Sequence, residues 1–334
     1  MAFQLGHSEP SPDVFAAVMA TGILSVAADK HHYTKISETL GVLATVGLVV
    51  LVGLVLLAAQ SGKTDGHALW DLADPDVTLR LFTFVAACAV LDSRLADIKA
   101  VVLALGVTAL VSWISLAALT ARNMTARSWT ALRDHAHGAW ELGSVGTSGL
   151  AIVATQVARH TPQHWCLAVA VPVWVIGLCV YALLTWLILW RAVAERQHSD
   201  GFEPDSWILM GGLAIATLAG DNIHGLAPGW LAPSVRTGTV VTWVVATFWI
   251  PPLIYFGLQR IKRRPALLQF AGVWWAMVFP LGMYSAATAA TGAELGRPSL
   301  RTVSLVFFWV ALAVWGIVAV AGLLRLRRAL VQPG

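Results

Sequence analysis

Ten apolar stretches follow one another along the chain, at about 13–28, 40–59, 77–91, 100–119, 139–157, 167–190, 206–220, 239–259, 274–292 and 302–324. A run of roughly 20 apolar residues is long enough to cross a bilayer as a helix. Several of the odd runs are shorter than that, with 77–91 and 206–220 only 15 residues. Their strong neighbours and short loops predict that they cross within a bundle.

The stretches alternate in kind. The odd ones are rich in Gly, Ala, Ser and Thr, and the even ones in Leu, Val, Ile and Trp. The third and fourth blur the rule. Small residues let membrane helices approach closely, and Ser or Thr hydroxyls bond back to the backbone. Taken as a set, the same residue types also suit the wall of a pore. The positions assigned to that wall are Thr21, Gly22, Ser25, Ser144, Thr147, Ser148, Gly212, Thr217, Gly282, Ser285 and Thr288. Each small-residue helix followed by a bulky one predicts a hairpin. Five hairpins can close into a ring around a central pore, small-residue helices inside. The expected fold is an all-α multi-pass membrane protein, residues 1–334 forming a single ten-helix domain.

Composition supports the membrane reading. Of 334 residues 57% are hydrophobic and only 12% charged, and mean hydropathy is +0.72. A soluble domain carries about 25% charged residues, so this chain cannot cover a water-facing surface. The start of the chain has no Lys or Arg before the first apolar run and lacks a signal-peptide pattern, so the first span is expected to be retained. Loops after even stretches hold 13 of the 22 Lys and Arg residues, including Arg196, Arg260, Arg263 and Arg264. Loops after odd stretches hold 8. That bias places both termini in the cytoplasm, with the protein in the plasma membrane. Cys88, Cys166 and Cys179 have no metal-ligand spacing and read as buried thiols.

Ionisable residues inside spans mark functional sites by default. Arg80 lies in the third stretch and is assigned to anion attraction; Glu141 begins the fifth and is assigned a gating or structural role. His135, His137 and Glu141 have a metal-compatible spacing, but the segment is a polar loop leading into a helix, so no metal or other cofactor is expected. Asp221, Asn222 and His224 read as a solvated helix end. No catalytic signature is present, which sets an enzyme aside, and nothing suggests a nucleic-acid partner. Prolines recur mid-span at Pro172, Pro251, Pro252 and Pro280. Each removes a helix hydrogen bond and bends or breaks the helix. Phe279 beside Pro280 sets a bulky ring at a kink in a small-residue helix.

Four segments carry a family resemblance. Pro12 to Ser25, with Phe15, Met19, Thr21 and Gly22, resembles the first helix of the tellurite-resistance/C4-dicarboxylate transporter family, which includes plant slow-type anion channels. Phe82 to Arg94 resembles its third helix, Trp249 to Ile254 its eighth, and Trp274 to Ser285 its ninth. The resemblance implies ten helices as five hairpins, a homotrimer with a pore in each protomer, and a ninth-helix Phe as gate, here Phe279. The fifth helix departs from the family pattern by placing Glu141 after Trp140. The family mixes channels with proton-linked carriers. The implied substrates are therefore small anions (C4-dicarboxylate, sulfite, chloride, nitrate or tellurite-like oxyanions) moved by either mechanism.

Overall fold

The computed structural model describes residues 11–64, 69–161, 165–194, 204–263 and 274–331. Arg196 and Arg264, counted above among the loop cations, lie outside them. Among the described residues the secondary structure is entirely helical. In chain order the α-helices are α1 (Ala16–Lys30), α2 (Thr34–Thr64), α3 (Pro75–Arg80), α4 (Phe82–Arg94), α5 (Lys99–Thr125), α6 (Trp129–His135), α7 (Leu142–His160), α8 (Trp165–Ala194), α9 (Trp207–His224), α10 (Ala232–Arg263), α11 (Trp275–Glu294) and α12 (Pro298–Val331). Two 3-10 turns, Gly138–Glu141 and Pro204–Ser206, lead into α7 and α9.

Local chemistry sets several of these boundaries. Asp74 caps α3 by accepting from the Asp76 amide, with Pro75 in the first turn. Ser128 caps α6 by accepting from Ala131. The third apolar stretch is divided at Leu81 into α3 and α4. Pro172, Pro251, Pro252 and Pro280 lie inside α8, α10 and α11, and those helices continue through them.

Among the described residues six helical segments are long and apolar enough to cross a membrane: α2, α5, α8, α10, α12, and α9 with its leading turn. They fall into two groups by burial. Only 11% of the most apolar window of α2 is buried, against 83% for α9. The bulky helices expose long apolar faces, including Val49, Val111, Val175, Phe248 and Ile317. Water would not tolerate such surfaces, so these are the lipid-facing elements. The small-residue helices α1, α4, α7, α9 and α11 are mostly buried.

The contacts form two shells. Each inner helix touches the next, α1 to α4, α4 to α7, α7 to α9 and α9 to α11, and α11 returns to α1. Each also packs against the outer helix that follows it in sequence: α2, α5, α8, α10 and α12 in turn. Small residues make these approaches possible. A Cβ on Gly22 would meet Val90 at 2.9 Å, on Gly146 would meet Phe82 at 2.7 Å, and on Gly211 would meet Pro280 at 2.9 Å.

Every outer helix also touches the next inner helix along. At four of these five seams a tryptophan indole donates across. Trp113 of α5 donates to Thr147 of α7 (2.9 Å), and Trp174 of α8 to the Ala216 carbonyl of α9 (2.8 Å). Trp243 of α10 donates to Thr288 of α11 (3.1 Å), and Trp315 of α12 to Thr21 of α1 (2.9 Å). The last of these joins the end of the chain to its beginning.

Close packing at Gly146 gives a direct test. Gly146→Ala places a methyl against the Phe82 ring and carbonyl, and should lower stability by about 1–3 kcal/mol. Gly53→Ala, with nothing within 4 Å, should be neutral or stabilising by up to about 1 kcal/mol. Thermal unfolding in detergent compares the two; equal midpoints would contradict the tight crossing.

Candidate functional site: the interior of the helix ring

The inward face of α11 follows from what its other faces touch. Pro280 meets Gly211 of α9, and Gly282 lies against Ile23 and Leu24 of α1. Tyr284, Ser285 and Thr288 bond outward to Thr247, Ser304 and Trp243. An α-helix turns about 100° per residue. The side left over carries Phe279, Met283, Ala286 and Ala290, spaced four, three and four residues apart. Phe279 and Met283 are fully buried. The bulky ring at the proline therefore lies on the side of α11 opposite the residues that bond the outer helices.

Most of the hydroxyls assigned to a pore wall are placed elsewhere. Thr21 receives the Trp315 indole and Thr147 the Trp113 indole. Thr217 bonds Thr242 of α10 at 2.9 Å. Ser25 and Ser37 exchange bonds to each other's carbonyls between α1 and α2, and Ser285 and Ser304 do the same between α11 and α12. Ser148 lies against Gly177 of α8. All of these but Ser148, whose hydroxyl has no hydrogen-bond partner among the described residues, bind the inner shell to the outer one. Gly22, Gly212 and Gly282 sit at helix crossings. The physical reason is shared: a hydroxyl in an apolar bundle is satisfied best where a second helix brings a donor or carbonyl.

At the N-terminal end of the inner helices, Arg80 lies 3.4 Å from Asp76, and its side chain is about a quarter exposed. Its charge is thus shared within α3. Glu141 is fully buried. Its two oxygens accept from Ser144 (2.8 Å) and from Thr185 of α8 (2.7 Å), and among the described residues it has no ion-pair partner. The three residues with metal-compatible spacing go separate ways. His135 turns to the Ala131 carbonyl, Glu141 to hydroxyls, and His137 to two aspartates.

That last group was not legible as a site. His137 bonds Asp205 through Nδ1 and Asp76 through Nε2, both at 2.7 Å. Asp205 also accepts from the Ala139 amide, and Asp76 from the Trp140 indole. One imidazole thereby ties the starts of α3, α7 and α9. Gly138 is required beside it, because a Cβ there would lie 2.5 Å from the Asp205 backbone. Burial works against the charge on His137, but the bonds and charges of Asp205 and Asp76 outweigh it and raise the group to about 9. Burial likewise opposes ionisation of Asp76; the His137 bond and Arg80 reverse this and lower it. The sequence did hold a signal. Pro-Asp opens three inner segments, at Pro12–Asp13, Pro75–Asp76 and Pro204–Asp205.

The opposite end of the ring is also bonded rather than simply solvated. Basic residues fill the last turns of four inner helices: Lys30, Arg94, Arg159 with His160, and His224. This is the arrangement that complements helix C-terminal dipoles. Arg159 donates to Asn222 across α7 and α9, and His224 and Arg236 lie 3.5 and 3.4 Å from Glu294.

The sequence matches the voltage-dependent anion channel (SLAC1) family over residues 10–323. The chain belongs to this family. The match covers the whole two-shell bundle, from α1 almost to the end of α12. Similar proteins include an uncharacterized transporter of Methanocaldococcus jannaschii, 24% identical over 92% of this chain and 90% of its own length. A second such transporter from that organism is 23% identical over 54% of each chain. An uncharacterized membrane protein of Mycobacterium tuberculosis is 30% identical over 46% of this chain and 81% of its own. Family membership makes the protein a membrane anion channel or transporter.

The His137 bridge predicts a pH window. A group raised from 6.5 to about 9 adds stability that is complete below its unfolded value and is lost as pH climbs through about 9. Asp76, being lowered, adds stability above 3.8 that is lost as pH falls through its depressed value. The unfolding midpoint in detergent should therefore fall between about pH 6.5 and pH 9 and level off above that. His137→Ala should cost about 1–3 kcal/mol of stability at pH 7, with that alkaline fall flattened. An unchanged alkaline limb in the variant would show that other groups cause it.

Proposed function

We propose that the protein passes small anions along the axis of its five inner helices, with Phe279 closing the path. The observation that carries this reading is the position of Phe279. It is fully buried, beside a proline, on the side of α11 opposite the residues that bond the outer helices. The contact pattern supports ten membrane-crossing helices as five hairpins around that axis. Inner helices need not look like spanning segments, since protein rather than lipid surrounds them. Both termini are assigned to the cytoplasm, the protein to the plasma membrane, and the assembly to a homotrimer as the family resemblance implies.

In this reading the axis is lined mainly by apolar side chains, and selectivity comes from the mouths. Consecutive inner helices are separated by one outer helix, so all five run the same way. Their basic last turns gather at one mouth, and their positive dipole ends and Arg80 lie at the other. Weak, distributed attraction of this kind lets anions gather without trapping them. Glu141 holds α7 against α8 through Ser144 and Thr185.

A proton-linked carrier is the second reading. One observation favours it: Glu141 is a fully enclosed carboxyl with only hydroxyl partners, a group suited to holding a proton. The substrates considered are chloride, nitrate, sulfite, C4-dicarboxylates and tellurite-like oxyanions.

Reconstitution into liposomes with that anion panel, with and without a pH gradient, separates the readings. A channel gives flux down the anion gradient alone; a carrier saturates and needs the proton gradient. Phe279→Ala should raise anion flux, and unchanged flux would remove Phe279 as the gate. Arg80→Gln should cut flux severalfold at low ionic strength and less at high.

A further inference from the structure

A groove of about 580 Å³ opens on the outside of the bundle between α5 and α8. Its floor reaches past the outer shell to Phe82 of α4 and to Gly143 and Thr147 of α7. Its size falls within the ~300–1,000 Å³ typical of small-molecule sites, and its lining is largely apolar. The helices on either side expose apolar residues such as Val111 and Ile114 on α5 and Val175 on α8. The groove therefore opens toward hydrocarbon.

Its two polar features are not random. Arg127 and Trp129 line one end. Trp129 meets Trp186 at 5.9 Å, Trp186 stacks on Trp190 at 5.0 Å, and Arg133 lies over the Trp190 ring. Tryptophans with arginines at one depth mark a membrane–water interface. The groove thus runs from that interface inward between two lipid-facing helices. Arg127 is about a third exposed and has only a 3.6 Å pairing with Asp74. Deeper in, the Thr120 hydroxyl is buried, lines the groove, and has no hydrogen-bond partner among the described residues. A buried hydroxyl without a partner is costly unless an occupant supplies an acceptor. Thr120 precedes Arg127 by about two helical turns, about 10 Å along an axis.

We propose that this groove holds an acyl chain of an anionic phospholipid from the adjoining leaflet, its phosphate at Arg127 and its ester carbonyls near Thr120. The tail rests on Phe82, the residue that Gly146 packs against, and so touches the inner ring itself. The site requires only that α5 and α8 meet lipid; it does not depend on which anion is moved, or whether any is.

The test uses the full chain purified in detergent, with phosphatidylglycerol or phosphatidylcholine of identical chains added, read by native mass spectrometry. Wild type should retain one phosphatidylglycerol per chain in preference to phosphatidylcholine. Ala117→Trp from α5 and Val180→Phe from α8 each fill the groove and should remove most of that lipid; thermal unfolding identifies whichever variant remains folded. Arg127→Gln should keep an acyl chain but lower the headgroup preference about fivefold. Equal retention in wild type and a folded groove-filling variant would overturn the proposal. So would groove filling that weakens association between chains while lipid retention stays the same, because the occupant would then be a second copy. Anion flux is measured separately, so its failure leaves this result standing.

Discussion

An indole N–H or a hydroxyl in hydrocarbon has no water to bond, and the two-shell architecture follows from where those groups are satisfied. Four outer tryptophans reach inward to the inner helix of the next pair. Serine pairs clamp the first and last pairs by exchanging carbonyl bonds. Each net bond is worth only about 1 kcal/mol. Their value lies in register: an indole that slides by one residue loses its acceptor, so each seam has one preferred alignment. Glycines then allow the close approach that dispersion alone rewards, since lipid tails remove any hydrophobic drive between helices.

The alternation of small-residue and bulky stretches made the two shells legible in the sequence. Packing against protein on all sides favours small residues, and lipid contact tolerates bulk, so each shell wrote its environment into its composition. The direction of the hydroxyls was not legible. Thr21, Thr147 and Thr288 belong to inner helices, and composition cannot say whether they turn inward or outward. The partners that decide it lie 294, 34 and 45 residues away. The likeness of Phe279 to a family gate was visible in the sequence; what was not visible is that the hydroxyls of its helix bond away from it.

His137 shows a different limit. Its spacing to His135 and Glu141 suggested one local cluster, whereas its partners come from two other pairs. The recurrent Pro-Asp openings carried the information, but as a repeat across the chain rather than as a motif within it. A proline at the start of a helix costs nothing there, and an aspartate beside it favours the positive helix end. In two of the three cases the aspartate became a ligand for the same imidazole.

The tryptophan bonds skip one seam. α2 contains no tryptophan, and between the first two pairs Arg94 spans the gap instead, donating to Ser25 at 2.8 Å while lying against Gly41. A guanidinium on a long flexible stem is a looser fastener than a rigid indole, and it sits at the end of its helix rather than within the span. The ring stays closed there, because α1 and α2 both still touch α4, but this seam is the one fastened by a flexible side chain. Four alike seams and one fastened differently leave a fivefold-repeating wall without fivefold symmetry.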